Sequence, residues 1–170
     1  MKFDNFKTRG ILGKIGEAYV LLEFLKLGIP GVLIGGNNLK HSPDLLMENG
    51  LGVEVKTSMY IEKRFKSTLS KSNIMKGGWA FAEIQRSNSQ ILAFVLLNQD
   101  FSVYKILYSN PSNFNSTNWN YRKPTELHLR QGLRGPISKE TQIPDFMEEN
   151  LINYLKKYLP EIAIKFGITS

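Results

Sequence analysis

Residues 44–56 constrain this chain more than any other stretch, because the register of one β-hairpin decides which of its side chains share a face. Leu45-Leu46-Met47 and Leu51-Gly52-Val53-Glu54-Val55 are short runs suited to strands, and Glu48-Asn49-Gly50 lies between them as a turn signal. If Asn49-Gly50 forms a two-residue type I′ turn, Glu48 pairs with Leu51 and Asp44 lands opposite Val55. Asp44 and Glu54 then point to opposite faces, since side chains alternate along a strand. If Glu48-Asn49-Gly50 is a three-residue loop with Gly50 in the left-handed position, Met47 pairs with Leu51. Asp44 then faces Glu54 directly, and Lys56 sits two residues on, on the same face.

In this second register the two carboxylates have Cβ atoms about 5 Å apart. Like charges placed opposite one another destabilise a sheet, so the arrangement calls for a cation between them. Carboxylate oxygens are hard ligands suited to Mg²⁺, which binds through one or two carboxylates, keeps several waters and takes substrate phosphate as a further ligand. We therefore expect the three-residue loop.

Pro43-Asp44 followed by Glu54-Val55-Lys56 resembles the PD-(D/E)xK nuclease superfamily, which includes type II restriction endonucleases and Holliday-junction resolvases. The resemblance extends over about residues 10–100, where a helix with an acidic residue precedes the hairpin and a further helix and strands follow. It implies Mg²⁺ (Mn²⁺ as a substitute) held by Asp44, Glu54 and the Val55 carbonyl, polarising a scissile phosphate and activating a water. Lys56 would hold that water or neutralise the developing charge. Glu17 would be the acid of the first helix, supporting a second metal or orienting a water, and Gln85 a polar residue on the helix after the lysine strand. Cutting both strands of DNA implies a homodimer.

The upstream helix reads from Ile11 to Leu27, with Ile11, Ile15, Ala18, Leu22 and Leu25 spaced as one buried stripe. Leu21 and Phe24 widen it, and Glu17 shares their face. A carboxylate bordering an apolar face is either solvated at the helix edge or paired with a cation. Gly13 and Gly16 weaken the first turns and mark a place where another backbone approaches.

At 170 residues a single domain is the default, with its core over about residues 10–108 and a loop and helix over 109–170. The chain has no cysteine and only two histidines, His41 and His128, which argues against a disulfide framework and a thiolate or His-rich zinc site. No membrane-spanning run or signal peptide is seen, so a soluble, cytoplasmic protein is expected. The net charge of +7 favours polyanionic partners. From Lys56 to Lys76 six basic residues (Lys56, Lys63, Arg64, Lys66, Lys71, Lys76) stand against one acid, Glu62. A second basic region runs from Arg122 to Lys139. Any one of these lysines is an ordinary solvated charge, but together they suit a phosphate-contacting surface on DNA.

Further along, Lys63 to Ser72 reads as a loop or flap and Trp79 to Arg86 as a helix. Ile91 to Leu97 reads as a buried strand, and Phe101 to Tyr108 as its partner across Asn98-Gln99-Asp100. Ser109 to Asn120, with Phe114 and Trp119, reads as an exposed loop. The tail predicts a helix from Phe146 to Leu159, capped by Asp145 with Glu148, whose stripe of Met147, Leu151, Tyr154, Leu155 and Tyr158 packs on the domain. His41 and Ser42 beside Asp44 lack a nucleophile-elbow pattern, and Gly35-Gly36-Asn37-Asn38 lacks the lysine of a phosphate loop.

These features combine into an α/β chain with a restriction endonuclease-like core, a central mixed sheet of about five strands flanked by helices. The expected activity is Mg²⁺-dependent hydrolysis of DNA phosphodiesters. The alternatives are a DNA-binding or assembly module that keeps the fold without catalysis, and a resolvase selective for branched DNA.

Overall fold

A proline-free stretch with apolar residues at helical spacing opens the fold as α1 (Asn5–Lys26) in the computed structural model, which describes residues 5–34, 42–65, 74–79, 81, 89–114, 143 and 145–168. Gly28 ends the helix at φ +74; its N–H donates to the Leu25 carbonyl and that of Ile29 to the Phe24 carbonyl, both at 3.0 Å. This is the left-handed cap that glycine supplies without steric cost.

Of the stripe expected to be buried on α1, Ile11, Ala18, Leu22 and Leu25 are exposed and Ile15 is partly buried. On the flank that widens it, Phe24 and Glu17 are buried as expected and Leu21 is partly buried. Ile11, Leu22 and Leu25 are 57 %, 46 % and 48 % exposed, whereas Gly16, Glu17, Val20 and Phe24 are buried. Two apolar stripes run along this helix, and packing selects the one containing Gly16. A Cβ there would collide with Thr57 Oγ1, so only glycine allows the helix to seat this closely.

β1 (Gly31–Leu33), β2 (Leu45–Met47) and β3 (Gly52–Met59) then form an antiparallel meander. The hairpin takes the three-residue register, with Leu45 opposite Val53 and Leu46 opposite Gly52. Met47 N–H donates to the Leu51 carbonyl at 2.9 Å, and Gly50 takes φ +80. From β3 the chain enters a separate two-stranded antiparallel ribbon, β4 (Ile61–Phe65) with β5 (Ile74–Gly78). Lys63, Arg64 and Phe65 are thus in a strand rather than a flap, and 66–73 lie outside the described residues.

β6 (Ile91–Leu97) returns to the main sheet parallel to β3, and β7 (Val103–Ser109) runs antiparallel to β6. β7 starts later than expected because Phe101 sits in the turn at φ +66, enclosed by the 2.8 Å bond from Asn98 N–H to the Ser102 carbonyl. Pro111–Phe114 is one 3-10 turn; Trp119 lies outside the described residues. β8 (Met147–Glu148) pairs with β7, completing six strands in the order β1-β2-β3-β6-β7-β8, one more than expected.

The tail helix begins later than the sequence suggests. α2 (Leu151–Tyr158) is capped by Asn150, whose side chain accepts from Ile152 N–H at 2.7 Å, and α3 (Pro160–Lys165) follows a break at Leu159-Pro160. Met147 and Glu148 are in a strand instead, with Glu148 bonded to Lys157 at 2.7 Å.

The centre of the sheet is buried on both sides, while Val32, Leu33 and Leu46 at the β1 edge stay exposed. Val20 and Phe24 of α1 pack with Val53, Val55, Ala93, Val95, Tyr108 and the α2 residues Leu151, Tyr154 and Leu155. On the opposite face Trp79 and Phe81 cluster with the sheet residues Leu92, Phe94, Leu96, Leu107 and Met147. β6 is therefore apolar throughout, as a central strand covered on both faces must be. Trp79 is extended, not helical: its indole N–H donates to the Leu97 carbonyl at 2.6 Å within this second core. Among the described residues no helix is long and apolar enough to cross a membrane.

Candidate active site

Strand alternation puts Glu54, Lys56 and Ser58 on the β3 face away from α1, opposite Leu92, Phe94 and Leu96 of β6. Lys56 Nζ and Glu54 Oε1 are 2.7 Å apart, and both side chains are largely withdrawn from solvent. Asp44 stands just ahead of β2, one register step beyond the Leu45–Val53 pair, which brings it across from Glu54.

Three contacts hold Asp44 there. Its carboxylate Oδ2 accepts from Val55 N–H at 2.8 Å. Its own carbonyl accepts from Ile34 N–H at 2.9 Å. The preceding Pro43 lies over Gly52, where a Cβ would approach its ring carbons to 3.1 Å, so the proline ring and the glycine fit each other. Because a residue's N–H and C=O leave a strand on the same side, the Val55 carbonyl also points toward the edge that Asp44 occupies.

Glu17 is 8 % exposed on the packed face of α1 and accepts from Lys14 Nζ at 2.6 Å. The electrostatics converge on Glu54. Burial pushes its carboxyl above the usual carboxylate range; the charge and hydrogen bond of Lys56 pull it back, while the negative charges of Asp44 and Glu17 push it further up. Asp44 and Glu17 thus both act on Glu54 through space. The three do not meet as a ligand cage, however: among the described residues no three His, Cys, Asp or Glu side chains form a group that could hold a metal ion. Asp44 and Glu54 with the Val55 carbonyl are the oxygen donors that this part of the chain offers to a hard cation.

Of the basic residues singled out from the sequence, Lys63 and Arg64 lie on β4 and Lys76 on β5, beyond the end of the strand that carries Glu54 and Lys56. Lys66, Lys71 and Gln85 lie outside the described residues. Ser58 escapes the sequence reading, and Gly16 is marked there as a close approach without its partner. Ser58 is buried and continues the Glu54–Lys56 face, which alternation from Glu54 would have revealed. Gly16 sets the seat of α1 beside Glu17, and only the pairing of helix with strand identifies its partner, Thr57. No protein-family model matches this chain, and neither does any curated protein compared with it.

Proposed function

We propose that this protein is a Mg²⁺-dependent DNA endonuclease with a restriction endonuclease-like core, hydrolysing phosphodiesters at Asp44, Glu54 and Lys56. One observation carries the proposal: Asp44 and Glu54 stand opposite each other across two strands, with Lys56 against Glu54 at 2.7 Å. The residues suit the metal. Glu54 is driven toward its protonated form by burial and by two neighbouring carboxylates, a strain that a divalent cation relieves. Two carboxylates and a carbonyl meet the demand of Mg²⁺, which keeps several waters besides its protein ligands. Mn²⁺ would substitute.

When bound, the ion supplies Lewis-acid polarisation of the phosphate and a water of lowered pKa. The chain's own residues do the rest. Val55 N–H fixes one oxygen of Asp44, leaving the other free to act as a ligand. Glu54 holds the Lys56 ammonium in place, where it neutralises the negative charge that grows on the phosphoryl oxygens. Glu17 adds negative potential from the helix side and orients water. Two copies, each with one such site, would cut both strands of a duplex.

Incubation of the protein with supercoiled plasmid and Mg²⁺, beside Asp44→Ala and Lys56→Ala, tests the assignment. Wild type nicks or linearises the plasmid, and loss of the Lys56 ammonium slows the reaction by about 10²–10³-fold. Undiminished cleavage by both variants would refute the assignment. A four-way junction cut far faster than linear duplex makes the enzyme a resolvase. Folded wild type that cuts no duplex, branched or single-stranded DNA is a binding module.

A further inference from the structure

We infer that Gln90 is a substrate-binding residue whose side-chain amide donates to the phosphate next to the scissile one, an inference that rests on the nuclease reading. Gln90 lies one step before the Val53–Ile91 pair, beside Gly52 at the start of the parallel β3–β6 ladder. Its backbone N–H donates to the Gly52 carbonyl at 3.0 Å, and its own carbonyl accepts from the Tyr154 hydroxyl at 3.3 Å. Its side chain turns back across the same pair, where Oε1 accepts from Gly52 N–H at 2.7 Å. A glutamine side chain in solvent gives up its rotamer freedom only at a cost. Here hydrogen bonds fix both the backbone and the carboxamide of an exposed residue.

The fixed amide has a direction. Gly52 presents a donor, so the carboxamide oxygen must face it, and the Nε2 amino group with its two protons faces away. No described residue accepts from that group. Gly52 and Glu54 are two residues apart and so share one side of β3, away from α1. A Cβ on Gly52 would stand 3.1 Å from the Pro43 ring and 3.3 Å from Gln90 Oε1, so both lie over that side. The absent side chain leaves the space that the carboxamide occupies.

Along β3 the positions of the amide, the Glu54 carboxylate and the Lys56 ammonium follow one another at steps of about 7 Å, with Asp44 across from the middle one. A sugar-phosphate backbone on this line, its scissile phosphate at the two carboxylates and Lys56, brings its next phosphate to Gln90. The residue type fits the place. A lysine there would be drawn to the carboxylates, as Lys56 is to Glu54 at 2.7 Å. A carboxamide carries no charge, so it stays clear of that pairing and donates to the anion that arrives with the substrate.

The test compares wild type, Gln90→Ala and Gln90→Glu in steady-state cleavage of a labelled DNA duplex with Mg²⁺ and in fluorescence anisotropy of the same duplex with Ca²⁺. A contact to a phosphate that does not react holds substrate and transition state alike, so its loss raises KM and spares kcat. Gln90→Ala is expected to raise KM about 10–100-fold with kcat unchanged, and to weaken binding with Ca²⁺ by the same factor. The slope of log affinity against log salt stays at its wild-type value, because an uncharged donor releases no counterion. Gln90→Glu keeps an oxygen for Gly52 N–H and loses the donors. It is expected to unfold at the wild-type urea concentration and to bind duplex no better than Gln90→Ala. Wild-type KM and affinity in either variant would overturn the inference and leave the nuclease reading intact. So would a fall in kcat with KM unchanged, the mark of a residue that acts through Gly52 on the carboxylates. Wild type that binds duplex without cutting it, with binding weakened in both variants, refutes the nuclease reading and leaves Gln90 as a phosphate contact. Wild type that neither binds nor cuts overturns both.

Discussion

Replacing Gly16 with alanine puts a methyl group where the structure has no room for one. Its Cβ would collide with Thr57 Oγ1 and stand 2.9 Å from Thr57 Cβ and 3.0 Å from Thr57 Cγ2. Thr57 is β-branched and lies on a strand paired on both sides, so it yields little by rotation. Relief has to come from lifting α1, and overpacking of this kind costs about 1–3 kcal/mol. Alanine also favours helix over glycine by about 1 kcal/mol, which offsets part of the loss. Gly13→Ala is the control that isolates the clash. Three residues earlier in the same helix, its Cβ meets only Glu17 Oε1 at 4.0 Å, so it gains the propensity term alone. The two variants should differ by about 1–3 kcal/mol in urea unfolding followed by circular dichroism, with Gly13→Ala above wild type. Adding Thr57→Ala to Gly16→Ala removes Oγ1 and Cγ2 and recovers part of the difference. Equal stability of Gly13→Ala and Gly16→Ala would refute the close seating of α1 on β3.

Two further predictions concern charge and capping. Glu54 has its carboxyl raised in the folded state, so its contribution to stability is full below the unfolded value of 4.5 and is lost as pH rises through the folded value. Without divalent ions, Glu54→Gln should therefore melt higher than wild type at pH 8 and alike at pH 4. Mg²⁺ at ten times its dissociation constant should restore about 1.4 kcal/mol to wild type at pH 8 and nothing to the variant. Asn150→Ala removes the acceptor for Ile152 N–H at the start of α2 and should cost about 1 kcal/mol in thermal or urea unfolding.

What is legible in the sequence is local. The turn follows from Glu48-Asn49-Gly50, the three-residue register from the pairing of Asp44 with Glu54, and β6 from an unbroken apolar run. What is not legible is decided by partners distant in sequence. Both stripes of α1 are apolar at helical spacing, and the choice between them rests on Gly16 meeting Thr57, 41 residues away. The ribbon passes for a loop because its strands interleave lysine and arginine with Ile61, Phe65 and Ile74, and charge obscures the alternation. Trp79 reads as the start of a helix because nothing near it in the chain announces that Leu97 accepts its indole proton. The cap read from the sequence is Asp145, whereas Asn150 caps α2, because pairing of Met147 with Ser109 on β7 consumes the first turn of the longer helix.

The same distinction applies to the candidate site, where Asp44 is held differently from its neighbours. Glu54 and Lys56 are carried by a strand with partners on both sides, so the sheet itself orients them. Asp44 precedes its strand, and its carboxylate is aimed by the Val55 amide at 2.8 Å. Val55 is buried, so removing the acceptor leaves an N–H without a partner, at a cost of about 1–3 kcal/mol. Asp44→Ala should then lose both stability and cleavage. Asp44→Asn keeps an oxygen that accepts from Val55 and removes only the charge; it should fold as well as wild type and still fail to cleave plasmid. Removing that charge also relieves the push on Glu54, so the Glu54 carboxyl, followed by carbon-13 NMR, should titrate lower in Asp44→Asn than in wild type. If the two variants unfold at the same urea concentration, the Val55 amide does not orient Asp44. If Asp44→Asn leaves the titration of Glu54 unmoved, the carboxylates do not share a field, and a cation between them has no electrostatic reason to bind.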